Sequence, residues 1–384
     1  MSRVSQKALE IPPFYVMEVL ERAQELERQV RDIVHIEVGE PDFDSPPPVI
    51  EAGIAAIRAG DTHYTHSMGT PDLREAIALW YARQYGVTVS PECVVVTMGS
   101  SAALLIAFMA LCDPGDEIVI SDPHYACYPN MIAFAQGAPV RVPVREDDGF
   151  ALRADAVRAV IGPRTKAVLV NSPSNPTGNI MDAVALRELA SLGVLVISDE
   201  IYHGLTYGER AHSMLKFTQE CVVTSGFSKL FAMTGWRLGY VIAPPDLARA
   251  MQKIQQNFFI SAGSFVQAAG IAALRDCDAH VETMRSEYAR RRELVMRRLR
   301  EMGRPLRVEP TGAFYAFVNV RDVCARRGMN SHALAFDILE RAGVAVTPGT
   351  DFGPGGEGYI RLSYANRYER LDEGLARLAR YFGE

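Results

Sequence analysis

A chain of 384 residues is long for one hydrophobic core, so two structural domains are expected. Hydrophobic residues at 48% and charged residues at 22% make an ordinary globular balance, and a formal net charge of -6 argues against nucleic acid as the main partner. The 6 cysteines are scattered without a CxxC, which suits reduced thiols in a cytoplasmic protein and offers no metal cage; no apolar run approaches a membrane span, and the N-terminus lacks the apolar core of a signal peptide.

Residues 14–29 carry an apolar stripe (Val16, Val19, Leu20, Ala23, Leu26) that predicts a helix. A short strand from Ile33 to Val38 ends at Gly39-Glu40-Pro41-Asp42-Phe43. Asp44 and Ser45, before Pro46 to Pro48, open a helix to about Ala59. A loop over 61–69 and a helix over 72–85 follow. Between Val94 and Ala243, short β-branched runs alternate with helical segments. Strands are expected at 94–97, 117–120, 140–144, 166–170, 194–198, 221–224 and 240–242, with helices at 101–111, 125–135, 154–160 and 182–192. Strands this apolar are covered on both faces, which predicts an α/β fold with a mostly parallel central sheet sandwiched by helices.

Helices are predicted over 246–257, 264–275 and about 279–302. The last carries seven arginines, read as a solvated face whose apolar stripe joins two domains. The tail from Arg307 reads as a smaller α+β domain: strand 314–320, helix 331–342, strands 344–346 and 359–364, helix 367–382. The strand at Ile33 is expected to join it. The expected division is an N-terminal arm with part of the small domain (1–45), a large domain (46–280) and a small C-terminal domain (281–384).

Ligands of open parallel sheets bind beyond the carboxyl ends of the strands, so polar residues there are candidates. Gly99-Ser100-Ser101 opens a helix, where backbone N–H groups and hydroxyls can hold an anion. Asn171 to Gly178 is a polar, proline-rich turn, and Asp199-Glu200-Ile201-Tyr202 puts a carboxylate at a strand end. Ser225-Gly226-Phe227-Ser228-Lys229 sets a lysine among small and apolar residues, where burial makes its amine nucleophilic. Arg237 follows with a fork suited to phosphate. Singly, these features read as an N-cap, a loop, a structural carboxylate and a surface lysine. Together they ask for one ligand that carries a phosphate, a ring with a basic nitrogen and an aldehyde.

With Tyr64-Thr65, Gly69, Leu73-Arg74, Gly312-Ala313-Phe314-Tyr315 and Arg361-Leu362-Ser363-Tyr364-Ala365, these motifs run in one order along nearly the whole chain. In them the chain resembles the fold-type I pyridoxal 5'-phosphate enzymes of the class I/II aminotransferase family, and the bacterial aspartate-aminotransferase-like branch in particular. The resemblance implies an aminotransferase that moves the amino group of an L-amino acid to a 2-oxo acid by a ping-pong mechanism. It implies that Lys229 holds the cofactor aldehyde and then carries the proton between the substrate Cα and the cofactor. Asp199 would pair with the pyridine nitrogen, Tyr202 and Asn175 with the ring oxygen, and Tyr125 would stack on the ring. Ser100, Ser101 and Arg237 would hold the phosphate, with Tyr64 reaching it from the neighbouring subunit of a homodimer. Arg361 would take the substrate α-carboxylate, helped by Asn175 and the backbone at Gly39. No metal, nucleic acid or membrane is expected.

Two positions depart from the aspartate-type pattern. Gly226 stands where many members have a serine, so a phosphate hydroxyl would come from Ser225 or Ser228. Ser101 stands where part of the branch has a lysine for a distal carboxylate, which leaves an aspartate-type donor with 2-oxoglutarate expected but without a named cation. Arg3, Lys7 and His66 are weak candidates for that cation. A carbon–sulfur β-lyase or a decarboxylase shares the constellation. A ligand-sensing regulator lacks room for a DNA-binding domain before Ile33, and a nicotinamide dehydrogenase lacks its GxGxxG turn.

Overall fold

The computed structural model describes residues 3–383. In chain order the strands are β1 (Val34–His35), β2 (Val94–Thr97), β3 (Glu117–Asp122), β4 (Ala138–Pro143), β5 (Thr165–Asn171), β6 (Leu195–Asp199), β7 (Cys221–Gly226), β8 (Gly239–Ile242), β9 (Tyr315–Asn319), β10 (Val344–Ala345), β11 (Thr347–Pro348) and β12 (Tyr359–Ser363). Seven of them form the central sheet, in the order β2-β8-β7-β6-β5-β3-β4. Strand β8 runs antiparallel to both its neighbours; the other pairings are parallel.

Successive strand residues point to opposite faces, and both faces are covered. Val95, Ile118, Ile120, Leu169, Ile197 and Val241 pack in one layer with the helices Ser100–Leu111 and Pro245–Phe258. Val96, Val119, Val168, Val196, Val223 and Ile242 face the other way, toward helices Pro71–Tyr85, Ala183–Ala190 and Ser264–Asp276. The sheet is therefore a closed sandwich except along the rim where its strands end.

Strand β1 pairs in parallel with β10, Val34 opposite Val344, which ties the N-terminal strand to the C-terminal part of the chain. Strands β11, β12 and β9 form an antiparallel sheet beside it. The long helix Asp278–Glu301 buries Met284, Tyr288, Leu294, Val295 and Leu299. Each of its seven C-terminal arginines has a carboxylate within ion-pair distance: Glu282, Glu287, Asp42, Glu309, Glu301, Asp372 and Glu309 serve Arg285, Arg290, Arg291, Arg292, Arg297, Arg298 and Arg300. The arginine run is neutralised within the chain.

Three sequence expectations need correction. The helix predicted over 125–135 spans Tyr128–Phe134, because Pro129 lacks an N–H and is accommodated in a first turn. The strand predicted over 344–346 ends at Ala345 as β10, and after Val346 the chain enters β11, which joins a different sheet. Helices Gln6–Glu10 and Arg321–Arg327 were not predicted; both are too short to show a periodic stripe. Among the described residues no helix is long and apolar enough to cross a membrane.

Candidate active site

The strand ends converge on one cavity of about 320 Å³. Asn171 ends β5 and pairs in register with Asp199, which ends β6. Thr97 ends β2 opposite Gly239, which starts β8, and Gly239 also pairs with Gly226 at the end of β7. The segments leaving these positions carry Ser100, Asn175, Tyr202, Lys229 and Arg237 to one side of the sheet. The cavity is lined by Gly39, Ser100, Ser101, Tyr125, Asn175, Asp199, Tyr202, Lys229, Arg237 and Arg361, so every sequence-predicted site residue except Tyr64 is brought together. Tyr64 is 81% exposed and lies outside the lining.

Lys229 donates from Nζ to the carbonyl oxygen of Gly39 at 2.6 Å. Its stem is enclosed and its amine opens on the cavity. Burial pushes the ammonium down to about 8; Glu40 and Asp199 pull it back, while Arg361 and Arg237 push it further down. A side chain at Gly39 would run into the Tyr315 hydroxyl, so the close approach of this loop requires glycine.

Asp199 is buried, with Oδ2 accepting from the Tyr128 hydroxyl at 2.6 Å and Oδ1 from the Ile201 N–H at 3.2 Å. Burial raises its pKa to about 6, partly offset by those two donors and by Lys229. Tyr202 and Tyr315 share a hydroxyl–hydroxyl bond of 2.7 Å, and burial holds the Tyr202 phenol well above its ordinary pKa. Tyr125 stands edge-on to Tyr128. Being outside the shortened helix, its ring is free to face the cavity.

Helix Ser100–Leu111 points its N-terminus at the cavity from Gly99, whose φ of 87° lies in the left-handed region. A Cβ on Gly99 would meet the Arg237 guanidinium at 2.6 Å, so that fork lies across the helix start. Arg237 itself has a φ of 54°, costly for a side-chain residue, and Nη1 is held by the Thr234 carbonyl at 2.9 Å. Positive charge and free N–H groups thus coincide. Of the two alternative serines, Ser228 lines the cavity, while Ser225 turns away and donates to the Glu200 carbonyl.

Arg361, on β12, is 4% exposed. Its Nη1 donates to Asn175 Oδ1 at 2.9 Å, and Nη2 to the Glu37 carbonyl at 2.6 Å and to Thr347 Oγ1 at 3.1 Å. The guanidinium lies over the Tyr315 ring, 4.4 Å from its centroid. Its Nε has no partner. A buried cation whose hydrogen-bond partners are all neutral is suited to receive a carboxylate, although the Asp351 carboxyl lies within electrostatic reach.

Sequence reasoning missed Tyr128, Tyr315 and Asn171. Tyr315 lies in the Gly312 to Tyr315 motif, and Asn171 closes a strand, so both carried a signal. Tyr128 did not, since its role depends on where the helix begins. Arg3, Lys7 and His66 do not line the cavity; Lys7 sits over the Phe134 ring and His66 accepts from the Met68 N–H.

A partly buried lysine of lowered pKa, a buried carboxylate, a phenol lining the cavity, and an arginine at a helix N-terminus fit pyridoxal 5'-phosphate, the cofactor of fold-type I enzymes. The family model for aminotransferase class I and II matches residues 31–378, and the chain belongs to that family. It is 39% identical, over the whole of both chains, to an aspartate/prephenate aminotransferase of Thermus thermophilus. It is 37% identical to a (5-formylfuran-3-yl)methyl phosphate transaminase of Methanocaldococcus jannaschii, over 99% of this chain and 100% of that one. A solved structure of the aspartate aminotransferase from Thermus thermophilus with maleate matches with a TM-score of 0.94 at 38% identity, covering 99% of this chain and 100% of that one. The protein is a pyridoxal-phosphate-dependent transaminase acting on amino and 2-oxo acids.

Proposed function

We propose that the transamination runs through the cavity residues in the following roles. Pyridoxal phosphate, when bound, supplies an aldehyde that condenses with amines and a ring that takes up the electron pair released at Cα. Ser100, Ser101, Ser228, the N–H groups at the start of helix Ser100–Leu111 and Arg237 hold its phosphate. Asp199, once ionised, keeps the pyridine nitrogen protonated. Tyr202 and Asn175 bond the ring oxygen, and Tyr125 covers one face of the ring. Arg361 orients the substrate α-carboxylate beside Asn175 and Gly39. Lys229 would hold the aldehyde of the cofactor, and its free amine would take and return the substrate Cα proton.

The convergence of Lys229, Asp199, Arg237 and Arg361 on one cavity carries this reading, and desolvation that lowers the Lys229 pKa to about 8 suits a nucleophilic amine. Lys229→Ala is expected to lose the visible absorbance of the cofactor-loaded protein and the half-reaction with any amino acid. Retained turnover would overturn the assignment.

A homodimer that completes the site is supported by the loop carrying Tyr64. Thr65, Ser67 and Asp61 hydrogen-bond Ser261, Gln252 and Ser264, so loop 61–69 is fixed against the segment that exposes Phe258 (63%) and Ile260 (44%). A fixed loop with an outward tyrosine beside exposed apolar side chains suits a subunit interface. The pairing of β1 with β10 supports a small domain built from 1–45 and 281–384 around the large domain 46–280.

A further inference from the structure

Part of the cavity wall not occupied by the roles above is an apolar patch, with Glu40, Thr234 and Asn171 as the polar residues beside it. Phe14, Val16 and Met17, at the start of helix Tyr15–Arg28, line it together with Val38 and Leu104. Phe14 stands edge-on to Tyr125, ring centroids 6.3 Å apart, which places it beside the proposed ring site. Leu104 lies one turn along the helix from Ser100 and Ser101, on the same face. Met17 is 43% exposed and is among the lining residues of the cavity. The helix start that presents these residues is pinned from behind, since Asp351 Oδ1 accepts from the Tyr15 N–H at 3.0 Å.

The cations that line the cavity are Lys229, Arg237 and Arg361, and each already has a role. The carboxylates that line it are Asp199 and Glu40; Glu40 is near enough to Lys229 to raise its pKa. The distal carboxylate of an acidic substrate would meet carbon and a like charge, with no further cation among the described lining residues to pair with. An apolar side chain would bury against Phe14, Met17 and Leu104 without desolvating a charge.

We propose that this transaminase takes an amino donor with a large apolar side chain, and that Phe14 and Met17 set the preference. The proposal rests on the transaminase reading of the same cavity. The test follows the loss of visible absorbance when L-phenylalanine, L-leucine, L-alanine or L-aspartate is added to the cofactor-loaded protein. The kcat/KM for phenylalanine is expected to exceed that for aspartate about tenfold or more, as differential contacts of this kind allow. Phe14→Ala and Met17→Ala should each lower the phenylalanine-to-alanine ratio roughly fivefold or more, and Met17→Arg should raise the aspartate-to-phenylalanine ratio by about tenfold. Calorimetric titration with 3-phenylpropionate and succinate gives a readout independent of turnover, and the former should bind about tenfold tighter. A preference for aspartate and succinate in the unaltered protein, or ratios unmoved in all three variants, would overturn the proposal. Failure to react with any amino acid, alanine included, would instead bring down the transaminase assignment on which the proposal depends.

Discussion

Asp199 shows how a single carboxyl is set for its task by its neighbours. Burial alone would keep it neutral, while the Tyr128 hydroxyl and the Ile201 N–H favour the charged form, so it titrates at about 6. It is therefore ionised at neutrality and available to a pyridinium. Removing the phenol should raise its pKa further. In Tyr128→Phe, cofactor affinity is expected to fall roughly tenfold, the worth of one hydrogen bond to a charged group. Its rise between about pH 5 and about pH 8 should also move to higher pH. Equilibrium titration of cofactor into the cofactor-free protein at a series of pH values checks both; an unmoved pH profile would remove Tyr128 from the tuning of Asp199.

Strand β1 and the helix before it are joined by a charged triad. His35 Nδ1 lies 2.7 Å from Glu37 Oε1 and Nε2 lies 3.1 Å from Glu27 Oε1, the latter on helix Tyr15–Arg28. Glu37 is fully buried, and its carbonyl holds Arg361. The Glu37 carboxylate raises the His35 pKa to about 9 despite burial. Because the folded value lies above the unfolded one near 6.5, the stabilisation is complete below about pH 6.5 and is lost as pH rises through about 9. The protein should lose on the order of 2 kcal/mol of unfolding free energy across that window, and His35→Gln should flatten the slope. Denaturant melts at several pH values test this, with equal slopes in both proteins as the contrary result. The same helix presents Phe14 and Met17 to the cavity, so its anchorage bears on substrate selection as well as on stability.

At the scale of the whole molecule, Tyr64 is exposed and lies outside the lining of its own cavity. Co-expressing Tyr64→Ala with Lys229→Ala tests whether it serves a partner's site. A mixed dimer would hold one site with an intact lysine from one subunit and an intact tyrosine from the other. With random pairing, about a quarter of all sites would regain activity, which neither variant alone would show. Activity no higher than the sum of the two variants would place Tyr64 outside the partner's site. The arginine-rich helix Asp278–Glu301 belongs to this scale too, because Arg291 reaches Asp42 and Arg298 reaches Asp372, joining distant parts of the chain by ion pairs.

The sequence by itself determined the alternation of strands and helices, since buried parallel strands must be continuously apolar. It also determined which functional groups stand beyond the strand ends, Lys229, Asp199 and Arg237 among them, but not the pKa values that burial and neighbours give Lys229 and Asp199. The tertiary structure decided what depends on approach between distant segments. It put Tyr128 on Asp199 through a helix start displaced by Pro129, bonded Ser225 to the Glu200 carbonyl and set Ser228 at the cavity, and left Arg3, Lys7 and His66 outside. It also made the apolar stripe of an N-terminal helix supply part of the cavity wall. Periodicity marks a helix's apolar face but does not say which of its residues cover a core and which a ligand, because both are burial against carbon.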